Sequence, residues 1–465
     1  MVRFISLIRT NAKKLLRDKD ERNLLTQIIM AFVVKGLSLV LSLFSMPLYI
    51  RFFSNDEVLG CWYTILSMIS WVNICDLGLG NGLRNRLTEA LAIGDEIQAK
   101  KYISSTYAAL AVVILPIIIA VMVLIHFVDL NAFFNIQPSL LSPQILQMSI
   151  SLLLAGMALS FVLRTVNSII YAIQKSSLNN WISLISSALP LLFVAIFRGG
   201  TMDENLISLT VVHVLAVNLP LLIATLLLFH GKKMRAMAPS VRSCSIDTAR
   251  NMLSLGLQFF LTQIFFMVLT ATNEIIITRM FSAADVVDYG IYYRLFTVVG
   301  SLFMLALTPL WSKITKDLAQ KKYRKIQVTN RVLYVLSGAA ILAEFAMVIC
   351  LQFVVNIWLG DAAIIVSKTT GLIFAFYGGM YVLNVALTTV ANGMGNLKTQ
   401  ITFYGIFSAI KIPAIYFFKQ GGANWDCVML YNAIALCAFC IFQLIWIERR
   451  VKGMITANSG ITQNP

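Results

Sequence analysis

What this sequence has least of is reactive side chains. Its three histidines in 465 residues, at 126, 213 and 230, lie far apart with no carboxylate at metal-ligating spacing. Neither H-E-x-x-H nor G-x-S-x-G occurs, so no zinc-hydrolase or serine-hydrolase signature is present. Seven cysteines, at 61, 75, 244, 350, 427, 437 and 440, form no disulfide framework. The one C-x-x-C, Cys437 to Cys440, falls in an apolar run without a partner pair, where the thiols read as small hydrophobes. Charge is scarce too, at 12% of residues against about 25% in soluble domains. The longest polar connections, around 230–250 and 313–331, are too short for an extramembrane catalytic domain. An enzyme is the poorer expectation.

What the chain does have is apolar runs, 58% of it being hydrophobic. A membrane-spanning helix needs about 20 mainly apolar residues. Twelve such stretches stand out, at 24–50, 58–79, 103–127, 144–170, 178–198, 206–229, 251–278, 288–312, 332–357, 369–390, 399–418 and 427–447. The expected fold is therefore all-α: a polytopic membrane protein with about 12 transmembrane helices. The net charge of +16 would suit nucleic acid, but its placement argues otherwise. With the N-terminus inside, the cytoplasmic segments hold 28 of the 37 Lys and Arg, and the outer loops hold five, Arg51, Arg198, Arg279, Lys368 and Lys419. That bias is the positive-inside rule, and it predicts that both termini are cytoplasmic. No nucleic-acid partner is expected. Residues 1–22 are basic and patchily apolar, without a signal-peptide cleavage pattern, and read as an interfacial amphipathic helix or a basic tail.

The two halves resemble each other. "RFFSNDEVLGCWYTI" from Arg51 matches "RMFSAADVVDYGIYYRL" from Arg279, and "RLTEALA" from Arg86 matches "KITKDLA" from Lys313 at an offset of 227. Ser187-Ala188 and Ser408-Ala409, each just before a proline (Pro190, Pro413), match at an offset of 221. Three matches in order predict a duplicated six-helix unit. Because six is even, both copies start on the same side, as two bundles related by a pseudo-two-fold axis along the membrane normal. The expected organisation is a basic cytoplasmic segment (1–23), an N-terminal bundle (24–230), a cytoplasmic linker (231–250), a C-terminal bundle (251–448) and a cytoplasmic tail (449–465).

Ionisable residues within apolar helices cost roughly 2.5 to 3.5 kcal/mol each by insertion scales unless they face a cavity or a partner. Lys35, Arg164, Arg294 and Lys411 are basic; Glu274 and Glu344 are acidic, with Asp288 near a helix end. Two cations remain if pairs neutralise one another, which suits a cavity for an anion. The rival readings are snorkelling for Lys35 and Arg164, and pairing with Glu274 or Asp288 for Arg294. Lys411 lies beside Pro413, where a kink frees carbonyls. Glu274 fits either a pair with Arg294 or a site for a coupling proton or sodium ion; no other cofactor and no metal is expected. Tyr292, Tyr293, Tyr377 and Tyr381 offer rings and hydroxyls to sugars, although packing is the commoner use. Trp62, Trp358 and Trp425 read as interfacial anchors.

One stretch, "NICDLGLGNGLRNRLTEAL" (73–91), raises a nucleotide-binding reading, but Gly78, Gly80 and Gly82 match neither G-x-G-x-x-G nor a P-loop. Instead "DLGLGNGLRNRL" resembles the D-x-G-x-x-x-x-x-R/N pattern of the O-antigen and polysaccharide flippases, the Wzx family of the multidrug/oligosaccharidyl-lipid/polysaccharide exporter superfamily. "RFFSNDEVLGCWY", "YGIYYRL" and "ANGMGNLK" fit the same layout. The resemblance implies a flippase in a bacterial inner membrane that moves an undecaprenyl-pyrophosphate-linked oligosaccharide outward by alternating access. Its partners would be that lipid, the bilayer, and the pathway's polymerase and chain-length regulator. By helix location, Lys35, Arg164, Arg294 and Lys411 would line a cationic lumen. Asp76, Arg84 and Arg86 would form a cytoplasmic gate, or anchor the helix end to headgroups. The alternatives are a cation-coupled drug exporter of the same superfamily and a polysaccharide polymerase.

Overall fold

Inside a bilayer each backbone N–H and C=O must find its partner within the chain, so long apolar runs become helices. In the computed structural model this holds throughout. Residues 19–73, 78–134, 136–197, 199–282, 285–359 and 364–461 are described, and no strand occurs among them. The helices are α1 (Lys19–Phe53), α2 (Asp56–Asn73), α3 (Leu79–Ile93), α4 (Glu96–Ile125), the short α5 (Leu130–Phe134), α6 (Pro143–Leu163), α7 (Thr165–Ala172), α8 (Ser176–Ile196) and α9 (Met202–His230). They continue as the single turn α10 (Lys232–Arg235), α11 (Ile246–Ala271), α12 (Asn273–Met280), α13 (Asp285–Ala319), α14 (Tyr323–Leu359), α15 (Lys368–Gly393), α16 (Lys398–Gln420) and α17 (Cys427–Ile461).

Among the described residues, 11 helical segments are long and apolar enough to cross a membrane. The chain is a multi-pass membrane protein. The remaining expected crossing, 58–79, corresponds to α2, an 18-residue helix followed by residues outside the description. Two expected crossings carry a one-residue interruption: 144–170 is α6 and α7 either side of Arg164, and 251–278 is α11 and α12 either side of Thr272. Large apolar side chains stay exposed along the helices, such as Ile349 on α14 (87% exposed). Trp62, expected as an interfacial anchor, is instead fully buried. Its ring packs on Phe53 and meets the His213 ring edge-on at 5.7 Å.

The chain divides into two units, Met1–Leu257 and Gln258–Pro465, with the boundary inside α11. In the first unit α6 packs on α9 and α8 on α1; in the second, α15 is the hub, packed on α13, α14 and α17. The expected linker is docked on the first unit. Met234 and Met237 join the core of Leu83, Leu87 and Ile103, and the Ser104 and Ser105 hydroxyls accept from the N–H groups of Ser240 and Ser245. The expected tail continues α17 as helix to Ile461. Residues 1–18, most of the expected basic segment, lie outside the described residues.

The internal repeat is visible in local geometry. Thr88 and Thr315, 227 apart, each send a side-chain hydrogen bond to a carbonyl of the matched helix, Ala172 and Gly393, which are 221 apart. α3 ends through Gly94 at φ 79 with Asp95 N–H donating to Ala90; the matched end of α13 uses Lys321 at φ 56 with Lys322 N–H donating to Asp317. The matched ends of α7 and α15 use Gln174 at φ 60 and Gly395 at φ 67. Each of these four ends is a left-handed C-cap that satisfies a terminal carbonyl.

Candidate functional site

The first unit contains a cavity of about 550 Å³ between α1, α2, α7, α8 and α9. Its wall is built by periodicity. Ser38, Leu41 and Ser45 repeat at helical spacing on α1; Ile182, Ser183, Ser186 and Ser187 do so on α8. Asn167, Asn179 and His213 add amides and an imidazole, and Arg164 adds a guanidinium. No carboxylate is among the described lining residues. A smaller adjoining pocket of about 40 Å³ shares Arg164 and His213 and reaches Ser160 and Asn218.

Arg164 reaches the cavity because the helix falters there. It sits between α6 and α7, its N–H donating to the Ser160 carbonyl at 2.8 Å while its own carbonyl accepts from Asn167 N–H at 2.9 Å, a tightened turn. The Asn179 side chain ties α8 to this turn by donating to the Asn167 carbonyl at 2.9 Å. The Oδ1 atoms of Asn167 and Asn179 are buried without a hydrogen-bond partner among the described residues. Buried acceptors of this kind call for a donor, and a hydroxyl-bearing ligand or water would supply one.

The other expected cations have separate fates. Lys35 is exposed on α1, one turn from the cavity's Ser38. Arg294 is exposed on α13, with no ion pair among the described residues. Lys411 is 1% exposed and serves the interruption at Thr272. Its Nζ donates to the Leu269 carbonyl at 2.6 Å, to Thr272 Oγ1 at 3.0 Å and to Asn273 Oδ1 at 2.7 Å. Asn273 also accepts from Asn432 at 2.9 Å and donates to the Tyr289 hydroxyl at 3.1 Å. A lysine expected to face a lumen is thus fully engaged in the packing of α11, α12, α13, α16 and α17.

None of Glu274, Asp288 and Glu344 is in an ion pair among the described residues. Glu274 is exposed, so the expected pair with Arg294 is not formed. Asp288 is half-buried in the first turn of α13. Glu344 is 1% exposed, and neither carboxyl oxygen has a hydrogen-bond partner among the described residues. Of the expected sugar-contact tyrosines, Tyr292 and Tyr377 are core residues. Tyr292 stacks on Phe374 and its hydroxyl accepts from Ser367 N–H at 2.7 Å; Tyr377 is 0% exposed and stacks on Tyr381. Tyr293 and Tyr381 are half-buried in the same aromatic cluster.

Of the expected gate, Arg84 and Arg86 are described and have different partners. Asp76 lies outside the described residues. Arg84 is buried, its guanidinium 4.5 Å above the Tyr171 ring, a cation–π contact that ties α3 to α7. Burial lowers the Arg84 pKa, and Tyr171 opposes the shift. Arg86 is exposed and pairs with Glu89 at 3.2 Å. Gly80 and Gly82 lie inside α3, and Gly82 packs against the backbone of α11 near Met252 and Gly256. The site residues that sequence reasoning passed over are His213, Asn167, Asn179 and the α8 serines. Their signal was polar side chains recurring at helical spacing in otherwise apolar runs.

No protein-family model matches the chain. It is 22% identical over 277 residues to a Salmonella typhi protein named "Putative O-antigen transporter", an alignment covering 58% of this chain. The match spans 60% of that relative's length. The fold is that of solved multidrug and toxic compound extrusion (MATE) transporters: a MATE structure in the bent conformation superposes with a TM-score of 0.77 at 13% identity, covering 96% of this chain and 98% of that one. A transporter of the MOP superfamily from Pyrococcus furiosus, described as having a binding pocket of reversed polarity, gives 0.73 at 13% identity over 95% and 98%. A Vibrio cholerae MATE transporter in the bent form gives 0.69 at 13% identity over 93% and 99%. The expected helical architecture is therefore observed, in the fold shared by these transporters.

Proposed function

We propose that the protein is a flippase for a lipid-linked oligosaccharide whose anionic linkage, a pyrophosphate on undecaprenol, is carried across a bacterial inner membrane by alternating access. The observation that carries this reading is the cavity of the first unit: one guanidinium, a lining of serines, asparagines and a histidine, and no carboxylate among the described lining residues. Hydroxyls and amides suit sugar recognition. A guanidinium holds a phosphate bidentately and stays charged in a low-dielectric setting. Lys35, on the same unit one turn from Ser38, is a further cation for the polar headgroup. The named Salmonella relative supports the substrate class. The positive-inside bias supports cytoplasmic termini, and the partners would be the polymerase and chain-length regulator of the same pathway.

The solved neighbours also favour a second reading, a drug exporter. A cationic drug would call for a carboxylate in the cavity, and the described lining offers none. The deciding experiment replaces Arg164. In a strain whose surface polysaccharide depends on this gene, Arg164→Ala is expected to abolish the polymer while the protein stays in the membrane at normal level, and Arg164→Lys to restore part of it. Normal polymer with Arg164→Ala would overturn the reading. Loss of dye or drug resistance with intact polymer would favour the exporter.

A further inference from the structure

One face of α14 carries a polar line through the second unit. Asn330, Tyr334, Ser337 and Glu344 follow at spacings of four, three and seven on one stripe of the helix, with Ile341 between the last two. Asn330 is 0% exposed, Ser337 1% and Glu344 1%. Both amide atoms of Asn330, the Ser337 hydroxyl and both oxygens of Glu344 lack a hydrogen-bond partner among the described residues. On α17 the amide of Gln443, 0% exposed, is in the same condition. Tyr334 faces Glu448 on α17, close enough for the hydroxyl and the carboxylate to interact.

That pair fixes the depth of the rest. α14 and α17 are separated by two membrane helices in sequence and so run in opposite directions. From the Tyr334–Glu448 level, Ser337 is about 4.5 Å deeper, Gln443 about 7.5 Å and Glu344 about 15 Å, at 1.5 Å per residue. The polar groups thus descend in steps from Glu448, which is partly exposed and followed by Arg449, Arg450 and Lys452, to a carboxyl deep in the unit. At the bottom, Glu344 rests on Gly378 of α15. A Cβ on that glycine would stand 3.0 Å from the Glu344 carboxyl and 2.6 Å from the Phe296 carbonyl of α13. The missing side chain leaves the carboxyl its place.

So many buried, partnerless polar atoms in one file are not tolerated dry; water satisfies such groups where each molecule finds two or more polar contacts. The carboxyl is in no ion pair among the described residues. Its surroundings are Gly378 and the Phe296 carbonyl, and the titratable groups that the packed elements carry at neighbouring levels are Tyr293 and Arg294 on α13, Tyr377 and Tyr381 on α15, and Cys440 and Glu448 on α17. An unpaired carboxylate buried among these would bear a heavy desolvation cost.

We propose that Glu344 is a membrane-buried proton-binding site, and that the file of Tyr334, Ser337 and Gln443 is a hydrated path that supplies it from the Glu448 end. Transfer is a relay. Glu344 Oε gives its proton to the adjacent water, the waters and hydroxyls of the file each pass one on while the Gln443 amide holds a water in place, and solvent at Glu448 takes the last; the reverse sequence reloads it. No heavy-atom bond changes and no co-reactant is needed. The site stands whether or not the cavity of the first unit takes a lipid-linked anion.

The test uses the full chain in lipid vesicles. Dicyclohexylcarbodiimide, which reacts with protonated carboxyls in apolar surroundings, is expected to modify Glu344, located by peptide mass spectrometry, with labelling that falls as pH rises. Infrared spectra are expected to show a carboxylic-acid carbonyl band that Glu344→Gln removes. Transfer to heavy water should shift that band promptly in the native protein and leave it unshifted in Ser337→Val/Gln443→Leu, checked for native helix content. No labelling of Glu344 in the native protein at any pH, or a band unchanged by Glu344→Gln, would overturn the proton site. Prompt exchange in the double variant would overturn the path.

Discussion

At matched positions the two units solve the same packing problem with different residues. In the second unit Gly393 brings α15 close to α13, and Thr315 Oγ1 reaches its carbonyl at 2.8 Å. In the first, Ala172 stands in the glycine's place, and the matched Thr88 bond to its carbonyl is 3.5 Å long. Each unit also interrupts one long helix, at different points. In the first, the interruption at Arg164 opens on a cavity of about 550 Å³. In the second, the interruption at Thr272 is occupied by Lys411, which bonds Leu269, Thr272 and Asn273. The first unit thus turns polar side chains towards a volume that a ligand can fill. The second turns this set inward, to hold its own helices. A duplicated scaffold has here been divided between accommodation and support.

The largest effect expected from that division is on Lys411. Lys411→Met keeps most of the bulk but leaves the Leu269 carbonyl, Thr272 Oγ1 and Asn273 Oδ1 without their shared donor. Orphaned buried acceptors cost about 1 to 3 kcal/mol apiece before local relaxation, so a loss of about 2 to 4 kcal/mol is expected. Arg164→Ala, on the cavity wall, is expected to cost about 1 kcal/mol or less, as for sites outside a packed core, while removing activity. Thermal unfolding of both variants in detergent checks the contrast. Equal destabilisation would break it, because Arg164 would then be supporting its unit as Lys411 does.

A smaller effect follows at the helix contact. A Cβ at Gly393 would stand 2.9 Å from Ile314 Cβ and Cγ2 and from the Trp311 carbonyl. Since backbone is among these neighbours, α15 must move away. Gly393→Ala is expected to cost about 1 to 3 kcal/mol, the usual range for overpacking. The reciprocal Ala172→Gly should cost about 1 kcal/mol or less, the helix-propensity difference. Unfolding midpoints again decide. A neutral Gly393→Ala would mean that the close approach in the second unit has no part in its stability.

Most of the fold was legible because the constraint that dictates it is coarse. A bilayer demands uninterrupted apolar helices, and runs such as 369–390 and 399–418 reappear as α15 and α16 within a few residues. The duplication was legible for the same reason that its caps recur: the matched segments "RLTEALA" and "KITKDLA" keep Thr88 and Thr315 where their hydroxyls can cross to the next helix. The functional side chains were less so. Arg164 and Lys411 look alike in sequence, each a lone cation in an apolar run. What separates them is the tertiary position of acceptors more than a hundred residues away, at Leu269, Thr272 and Asn273, which no local pattern encodes. Tyr292 and Tyr377, expected as sugar contacts, lie in the core, where their rings stack on Phe374 and Tyr381. The α8 serines were overlooked because each is individually unremarkable and meaningful only as a set on one wall.

The smallest predicted effect tests whether the matched helix ends are equivalent in energy as well as in shape. Gly94 and Gly395 take the left-handed conformation freely. Their counterparts Lys321 and Gln174 take it at φ 56 and φ 60 with a Cβ pressed towards the carbonyl that follows, a strain of about 1 to 2 kcal/mol per residue. Glycine also loses more chain entropy on folding, which offsets part of the relief. Lys321→Gly and Gln174→Gly are therefore each expected to stabilise by about 0.5 to 1 kcal/mol, comparable with other compatible backbone substitutions. Gly94→Lys and Gly395→Gln should destabilise by a similar amount. The four variants form two exchanges across the repeat, so a rise in unfolding temperature for one member and a fall for its partner would show that the caps differ only in residue type. If Gln174→Gly fails to stabilise while Lys321→Gly does, the end of α7 has a further use for its side chain, and the N-terminal helix is the place to seek it, because the Gln174 carbonyl accepts from Asn23 Nδ2 at 3.3 Å.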